Sequence, residues 1–450
     1  MQGRTVLCHQ HSHPKGRHDM TISPESLEDL QSKMSEWCAS QAQIHDLVEL
    51  EQFAVEVSRC VGHTVIEQGL PKLDKTRGYR TSSLPCDCGE KAKFVAYRER
   101  WIGTLFGAVQ VERAYYHCKD CRTGHVPWDR EQGVNELMWS PTVKALSAQI
   151  AGRMPYAESV RLLEQLTGLR LEESVVERIV AELGGRLRAE EAVAMTECDC
   201  GEITPWVAEA PTRLYVGMDG TSAHIDGAWH EVKTGVVYEA MRGADGVDKA
   251  VDSRYVAAQE SAESFGDRLY VTAAQAGVEY AEHVVVIGDG AEWIWNIAAH
   301  HYSDAIQIVD YWHACEHIHD LAKAYYGEGT GKGKRWAQDH CRWLKQRGPG
   351  TLLRALKRMK PNTDEQREAV RRELGYFTNH QHRMQYARFR QAGLMIGSGP
   401  VEAACKVVVG HRLKRAGMRW SGRGADAILA IRAALVSGHD ERVHHVAKAA

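Results

Sequence analysis

Apolar and polar positions change their period several times along this 450-residue chain. From about Ser23 to Ile66 the apolar residues recur at helical spacing, and Ser23-Pro24 with Glu25 supplies a plausible start signal. Residues 1–20 lack such a pattern and are expected to be disordered, within a tail and helical region spanning 1–66. From 67 to 135 alternation at period two takes over, as in AVQVERAYY, which predicts a small β-rich module. Helical spacing returns over 136–195: AESVRLLEQL, a turn at Thr167-Gly168, then EESVVERIVAELGGRL. These have the length and spacing of a helix-turn-helix, although ordinary helical hairpins share them.

Near Arg213 the pattern changes again. Strand-like runs (RLYVGM, WHEVKTGVVY, SRYVAA, EHVVVI, AIQIV) alternate with helical ones (ESFGDRLYVTAAQAG, AEWIWNIAAHHY), so residues 212–316 predict a mixed α/β sheet. The first three strands can be antiparallel, with later ones added by crossovers, which is a ribonuclease-H-like arrangement. Residues 317–395 are helical, basic and Trp-containing and read as an inserted helical domain; 396–440 read as C-terminal core helices. The expected fold class is therefore α/β, a ribonuclease-H-like core with an inserted helical domain, preceded by a zinc-ribbon and helical DNA-binding region.

Composition narrows the setting. Hydrophobic residues make up 44% and charged residues 26%, no apolar run approaches the ~20 residues of a membrane span, and the start has no signal-peptide core. A cytoplasmic, nucleoid-associated protein is expected, whose twelve cysteines serve as thiols or metal ligands. Cys86-Asp-Cys88 and Cys118-Lys-Asp-Cys121 are two tight pairs that could gather four thiolates around a structural Zn²⁺, with His117 or His125 able to replace one of them. Cys198 and Cys200 have no partner pair and read as structural.

Three acids carry the candidate chemistry. Asp219 in LYVGMDGT and Asp289 in VVVIGDGAEW each close an apolar run, and Glu402 stands in GSGPVEAACK. A strand ending in a carboxylate points it at solvent, where it can ligate Mg²⁺ or Mn²⁺; paired ions of this kind drive phosphodiester cleavage. Singly, each acid is also explained as a turn or a helix cap. Asp310 and His313 leave the next strand beside this place, where His313 could donate to a carboxylate or phosphate and Asp310 could orient it. Positive charge lies late in the chain: ten Lys or Arg against one acid from Lys332 to Lys360, and six with no acid from Lys406 to Arg423. Such stripes fit DNA phosphates, and solvated helix faces equally. His313-Ala-Cys-Glu316-His317 also matches an inverted zinc-peptidase pattern, but leaves the acids and the basic stripes without a task. Trp293, Trp295 and Trp420 are candidates for base stacking or for the core.

At these motifs the chain resembles the DDE transposases of bacterial insertion sequences, most closely the ISKra-type group. The resemblance rests on MDGT at Asp219, GDGAEWIWN at Asp289, Asp310-x-x-His313, and SGPVEAACKVVVGHRLKRAGMRW at Glu402, and covers roughly residues 80–435. It implies a metal-dependent triad of Asp219, Asp289 and Glu402 that cuts element ends and joins the freed 3′-hydroxyl to target DNA. Lys406, Arg412, Lys414, Arg415 and Arg419 would grip DNA, and a homo-oligomer would hold paired ends. The alternatives are a DNA-binding protein that has lost catalysis and a nuclease that cuts without joining.

Overall fold

The computed structural model describes residues 45–134, 136–207, 209–243 and 248–449, together with Ser32, Ser35, Glu36 and Ala39. The expected disordered tail and the Ser23 helix start lie outside the described residues. The chain divides into two units, Met1–Thr64 and Val65–Ala450. Helix α1 (Leu47–Leu73) starts in the first, where Leu47, Val48, Leu50 and Val55 are exposed. It continues past Ile66 because Ile66 and Leu70 pack on Ile102, Val109 and Trp128, and Pro71 falls in the last turn.

In the second unit, strands β1 (Ser83–Pro85), β2 (Lys91–Thr104), β3 (Gly107–Cys118) and β4 (Gly124–His125) form an antiparallel sheet in chain order. After the short α2 (Pro127–Glu131), α3 (Pro141–Arg153) opens with the Ser140 side chain accepting from the Val143 amide. Helix α4 (Tyr156–Thr167) ends at Gly168, and α5 (Glu173–Asp199) follows. Val176, Ile179, Val180, Leu183 and Leu187 bury one face of α5 in a core shared with α15 (Gly422–Val436), which is apolar nearly all round. At Gly184 a Cβ would meet the Ala427 backbone at 2.4 Å, so only glycine permits this crossing. The exposed start of α5 carries Glu172, Glu173 and Glu177 against one Arg178, a face that repels phosphate.

The second sheet is mixed, making this an α/β protein with two sheets. Strands β5 (Arg213–Ile225), β6 (Ala228–Arg242) and β7 (Asp248–Ala258) are antiparallel neighbours, as their short polar connections predict. After α6 (Ala262–Gln275), β8 (His283–Gly288) pairs parallel to β5, and after α7 (Glu292–His301), β9 (Ile306–Val309) pairs parallel to β8. The order is β7-β6-β5-β8-β9. Helices α8 (Tyr311–Tyr326), α9 (Gly331–Arg347), α10 (Gly350–Arg358), α11 (Asp364–Asn379) and α12 (Tyr386–Gln391) occupy the region expected as an insertion. They begin earlier than 317 and share the sheet's core: Ile318, Leu321, Leu344, Leu356 and Phe377 lie in one cluster with Val216, Val285 and Ile308.

The chain then returns to the sheet through α13 (Gly399–Ala404), a π-helical turn (Cys405–Gly410) and the single turn α14 (His411–Leu413); α16 (Asp440–Lys448) ends the fold. Helix α13 lies so close over β5 that a Cβ on Gly217 would sit 2.2 Å from Val401 Cγ2. Gly217→Val should therefore push α13 off the strand and lower stability by about 1–3 kcal/mol, read as a lower urea midpoint.

Candidate functional site

The four cysteines meet as their spacing predicts. Pairing of Ala92 with Cys118 brings the β1–β2 turn against the β3–β4 turn. One turn carries Cys86 and Cys88, the other Cys118 and Cys121, and all four sulfurs lie within 4.8 Å of one another. Two of the separations are 3.4 and 3.7 Å. Zn–S bonds of ~2.3 Å in a tetrahedron require sulfurs ~3.8 Å apart, so the set fits a tetrahedral metal ion. His125 Nε2 lies 3.3 Å from Cys86 Sγ at its rim, whereas His117 turns toward Tyr115. The Thr123 hydroxyl and amide hold the Cys121 thiol down at about 6, which favours a thiolate donor. The apolar cluster beneath is small, with Ala92, Ala114 and Tyr116 its buried residues besides Cys86 and Cys118. Cys198, in the last turn of α5, packs against the sheet's core, and Cys200 is exposed just beyond it.

The acids are organised around β5 and β8. Gly217 pairs in register with Ile287, and Asp219 and Asp289 each lie two residues further on. Asp219 does not end its strand, as its sequence had implied: β5 stays paired with β6 as far as Ile225. Parallel pairing with β8 does stop before it, which leaves one side of Asp219 facing the Asp289 loop. Asp219 Oδ1 accepts from the Gly220 amide at 2.7 Å, and Asp289 Oδ1 from the Ala291 amide at 2.8 Å. Burial pushes the Asp219 carboxyl above its ordinary value and the Asp289 charge adds to this, while the Cys405 thiol, the Gly220 amide and His313 act in the opposite direction.

Glu402 is exposed on α13, one turn before Cys405. Cys405 Sγ lies 3.3 Å from Asp219 Oδ2 and 2.8 Å from Thr234 Oγ1. Burial and the Asp219 charge push this thiol up to about 12, so it remains an S–H donor. Residues i and i+3 share a helical face, so Glu402 lies on the same side as Cys405. Among the described residues, the groups of three or more His, Cys, Asp or Glu with donor atoms all within 4.8 Å are the four cysteines and Asp267, His300 and His301. Asp219, Asp289 and Glu402 do not form such a group.

Asp310 does not orient the His313 ring. It is 4% exposed and caps α8, accepting from the His313 amide at 2.6 Å, and it also accepts from the Ser398 amide in the loop that leads to Glu402. The His313 ring contacts Glu316 at 3.3 Å, and His317 binds the buried Glu373 at 2.6 Å while stacking on Tyr376 at 3.8 Å. Among the described residues this pair has no third ligand within reach, as a zinc peptidase would need.

The basic residues separate into surface and interior. Arg412 is fully buried: its Nε donates to the Ala151 carbonyl at 2.9 Å and its guanidinium lies 4.8 and 4.6 Å from the Tyr156 and Trp420 ring centres. It is a core cation, and the expectation that it grips DNA is corrected. Lys406, Lys414, Arg415 and Arg419 are exposed; Lys414 donates to the Thr221 hydroxyl, two residues beyond Asp219, and Arg415 pairs with Glu158 at 3.5 Å. Lys332, Lys334, Arg335, Arg342, Arg354, Lys357 and Arg358 also face solvent on α9 and α10. Trp295 and Trp420 are buried, and Trp293 packs on the core. The exposed aromatic beside the site is Trp312, 65% accessible and next to Gly397. Its signal was its place in DYWH; that of Cys405 was its place one turn after Glu402.

Chelation, or Cys118→Ser, should make the segment 83–125 at least about tenfold more susceptible to limited proteolysis, since its apolar core is too small to hold it alone. The upward shift at Asp219 has a definite sign: the folded state holds its proton more tightly than the unfolded chain. Stability of the metal-free protein should therefore fall as pH rises from the ordinary carboxylate value through the raised one. Asp219→Asn should remove that slope, measured by denaturation at a series of pH values.

No curated protein matches the chain. The profile of the uncharacterised protein family UPF0236 matches residues 42–449, nearly all of the structure just described, and the chain belongs to that family.

Proposed function

We propose that the protein is a DDE transposase with a ribonuclease-H-like core, which cuts the ends of an insertion sequence and joins them to target DNA. The observation that carries this reading is the placement of Asp219 and Asp289, each two residues beyond the last paired positions, Gly217 and Ile287, of adjoining parallel strands, with the Cys405 thiol that follows the Glu402 helix against the first of them. The strand order, three antiparallel strands followed by two parallel ones, supports the same reading.

All three side chains offer oxygen donors, the chemistry that Mg²⁺ or Mn²⁺ requires. Asp219 and Asp289 would hold the metal, with Glu402 completing the set. When bound, the ions would activate water or a 3′-hydroxyl and stabilise the leaving oxygen. The protein's own groups do the positioning. Lys406, Lys414, Arg415 and Arg419 follow Glu402 on the surface and would take DNA phosphates, with the basic faces of α9 and α10 extending the track. His313 would donate to a phosphate oxygen, and Trp312 offers a stacking surface for an unpaired base. The cysteine module, with structural Zn²⁺, would contribute to recognition of the ends. Two ends must be joined together, so the working form would be a homo-oligomer on DNA.

That the three carboxylates are not among the close donor groups of the described residues favours one competitor, a DNA-binding protein without catalysis. Metal-dependent cleavage of DNA bearing the element ends separates the two, and strand joining separates both from a simple nuclease. Asp289→Asn and Glu402→Gln should each reduce cleavage and joining by about a thousandfold or more while end binding is retained. Undiminished cleavage in either variant rejects the assignment.

A further inference from the structure

Away from these acids, two helices on the sheet present a second set of donors. Asp267 on α6 and His300 and His301 at the end of α7 each bring one ligand atom within 4.8 Å of the others. His301 Nε2 stands 3.1 Å from Asp267 Oδ1. Bonds of ~2.0–2.1 Å to nitrogen and oxygen give a tetrahedral edge of ~3.3 Å, so this separation already matches the spacing of two donors on one metal ion. The two imidazoles are nearly perpendicular, with centres 4.6 Å apart, and Tyr270 stacks on His301 at 5.1 Å, which restricts that ring's orientation. A cavity of about 340 Å³ opens on both histidines and is lined by Glu263, Trp293 and Asn296 as well. It has room for water or the Glu263 carboxylate to complete a coordination shell.

We propose that Asp267, His300 and His301 form a binding site for a first-row transition cation of the zinc class, joining α6 to α7. Two imidazoles and one carboxylate select such a cation over Mg²⁺, whose preferred donors are all oxygen. The site is independent of the catalytic reading. Its structural consequence lies at the other end of α7, which begins three residues after Asp289; a cross-link to α6 would fix the axis of the helix that carries that loop.

The test uses the full chain, stripped of metal and titrated with Co²⁺ in saturating Mg²⁺, which occupies all-oxygen sites. Bound cobalt is counted by equilibrium dialysis. The wild type should bind one equivalent more than His300→Ala/His301→Ala, while the sulfur-to-cobalt absorption of the cysteine site is the same in both. An unchanged far-UV circular dichroism spectrum reports that the variant is folded. The single change His300→Ala, at an exposed position, should weaken the extra equivalent by at least about tenfold. Equal stoichiometry in wild type and double variant, or an unchanged affinity in the single variant, overturns the proposal.

Discussion

The candidate site depends on one buried carboxylate, that of Asp310. Its two oxygens take the amides of His313 and Ser398, and its own amide donates to the Gly288 carbonyl at 2.8 Å. The next residue, Tyr311, donates to the Ile396 carbonyl at 2.9 Å. One residue thus joins the end of β8 and the start of α8 to the loop into α13, although helices α8–α12 intervene in the sequence before that loop. Charge-assisted bonds to a buried carboxylate contribute about 1.5–3 kcal/mol each, and losing one side would leave the other buried and unpaired. The Asp289 loop and the Glu402 helix are therefore held relative to each other by backbone contacts, and their acidic side chains remain available for chemistry.

A second constraint lies under α13. Arg432, in the otherwise apolar run AILAIRAALV, donates to the carbonyls of Val407, Val408 and Gly152. Burying a guanidinium is costly unless its donors are met, and here the acceptors come from the π-helical turn and the last turn of α3. Carbonyls drawn to Arg432 are less available to the α-helical ladder, which accounts for the wider turn between Cys405 and Gly410. That turn governs where Cys405 and Lys414 fall: one against Asp219, the other on Thr221.

Much of this was legible in the sequence because it is local. Period-two runs mark the strands, short polar connections mark the antiparallel neighbours, and paired cysteines on two turns mark their own meeting point. Asp219 and Asp289 could be recognised beside each other because apolar runs lead into both. Interior cations were not legible in this way. Arg412 belongs to a basic run and differs from Lys414 and Arg415 only in facing Tyr156 and Trp420, which are distant in sequence. Independence of the α8–α12 helices was also misleading: their polar faces read as a separate domain, yet their apolar faces close the core of the sheet.

The electrostatics of Asp219 constrain how the site could work. Its carboxyl favours a proton because it is partly buried beside another acid, so the pocket stabilises positive charge. Lys414 does not neutralise it directly, since its ammonium binds Thr221 at the rim. A DNA phosphate approaching Asp219 and Asp289 would bring a third negative charge into a region of reduced dielectric, where like charges a few ångströms apart repel by several kcal/mol. On the proposed reading, neutralisation of the two aspartates must accompany or precede the arrival of the phosphate. On the same reading, the exposed cations on α9, α10 and the segment after Glu402 would attract DNA from solvent beforehand, because they do not share the charge of that repulsive centre. Attraction at the periphery and charge demand at the centre would thus be separate tasks, assigned to different residues.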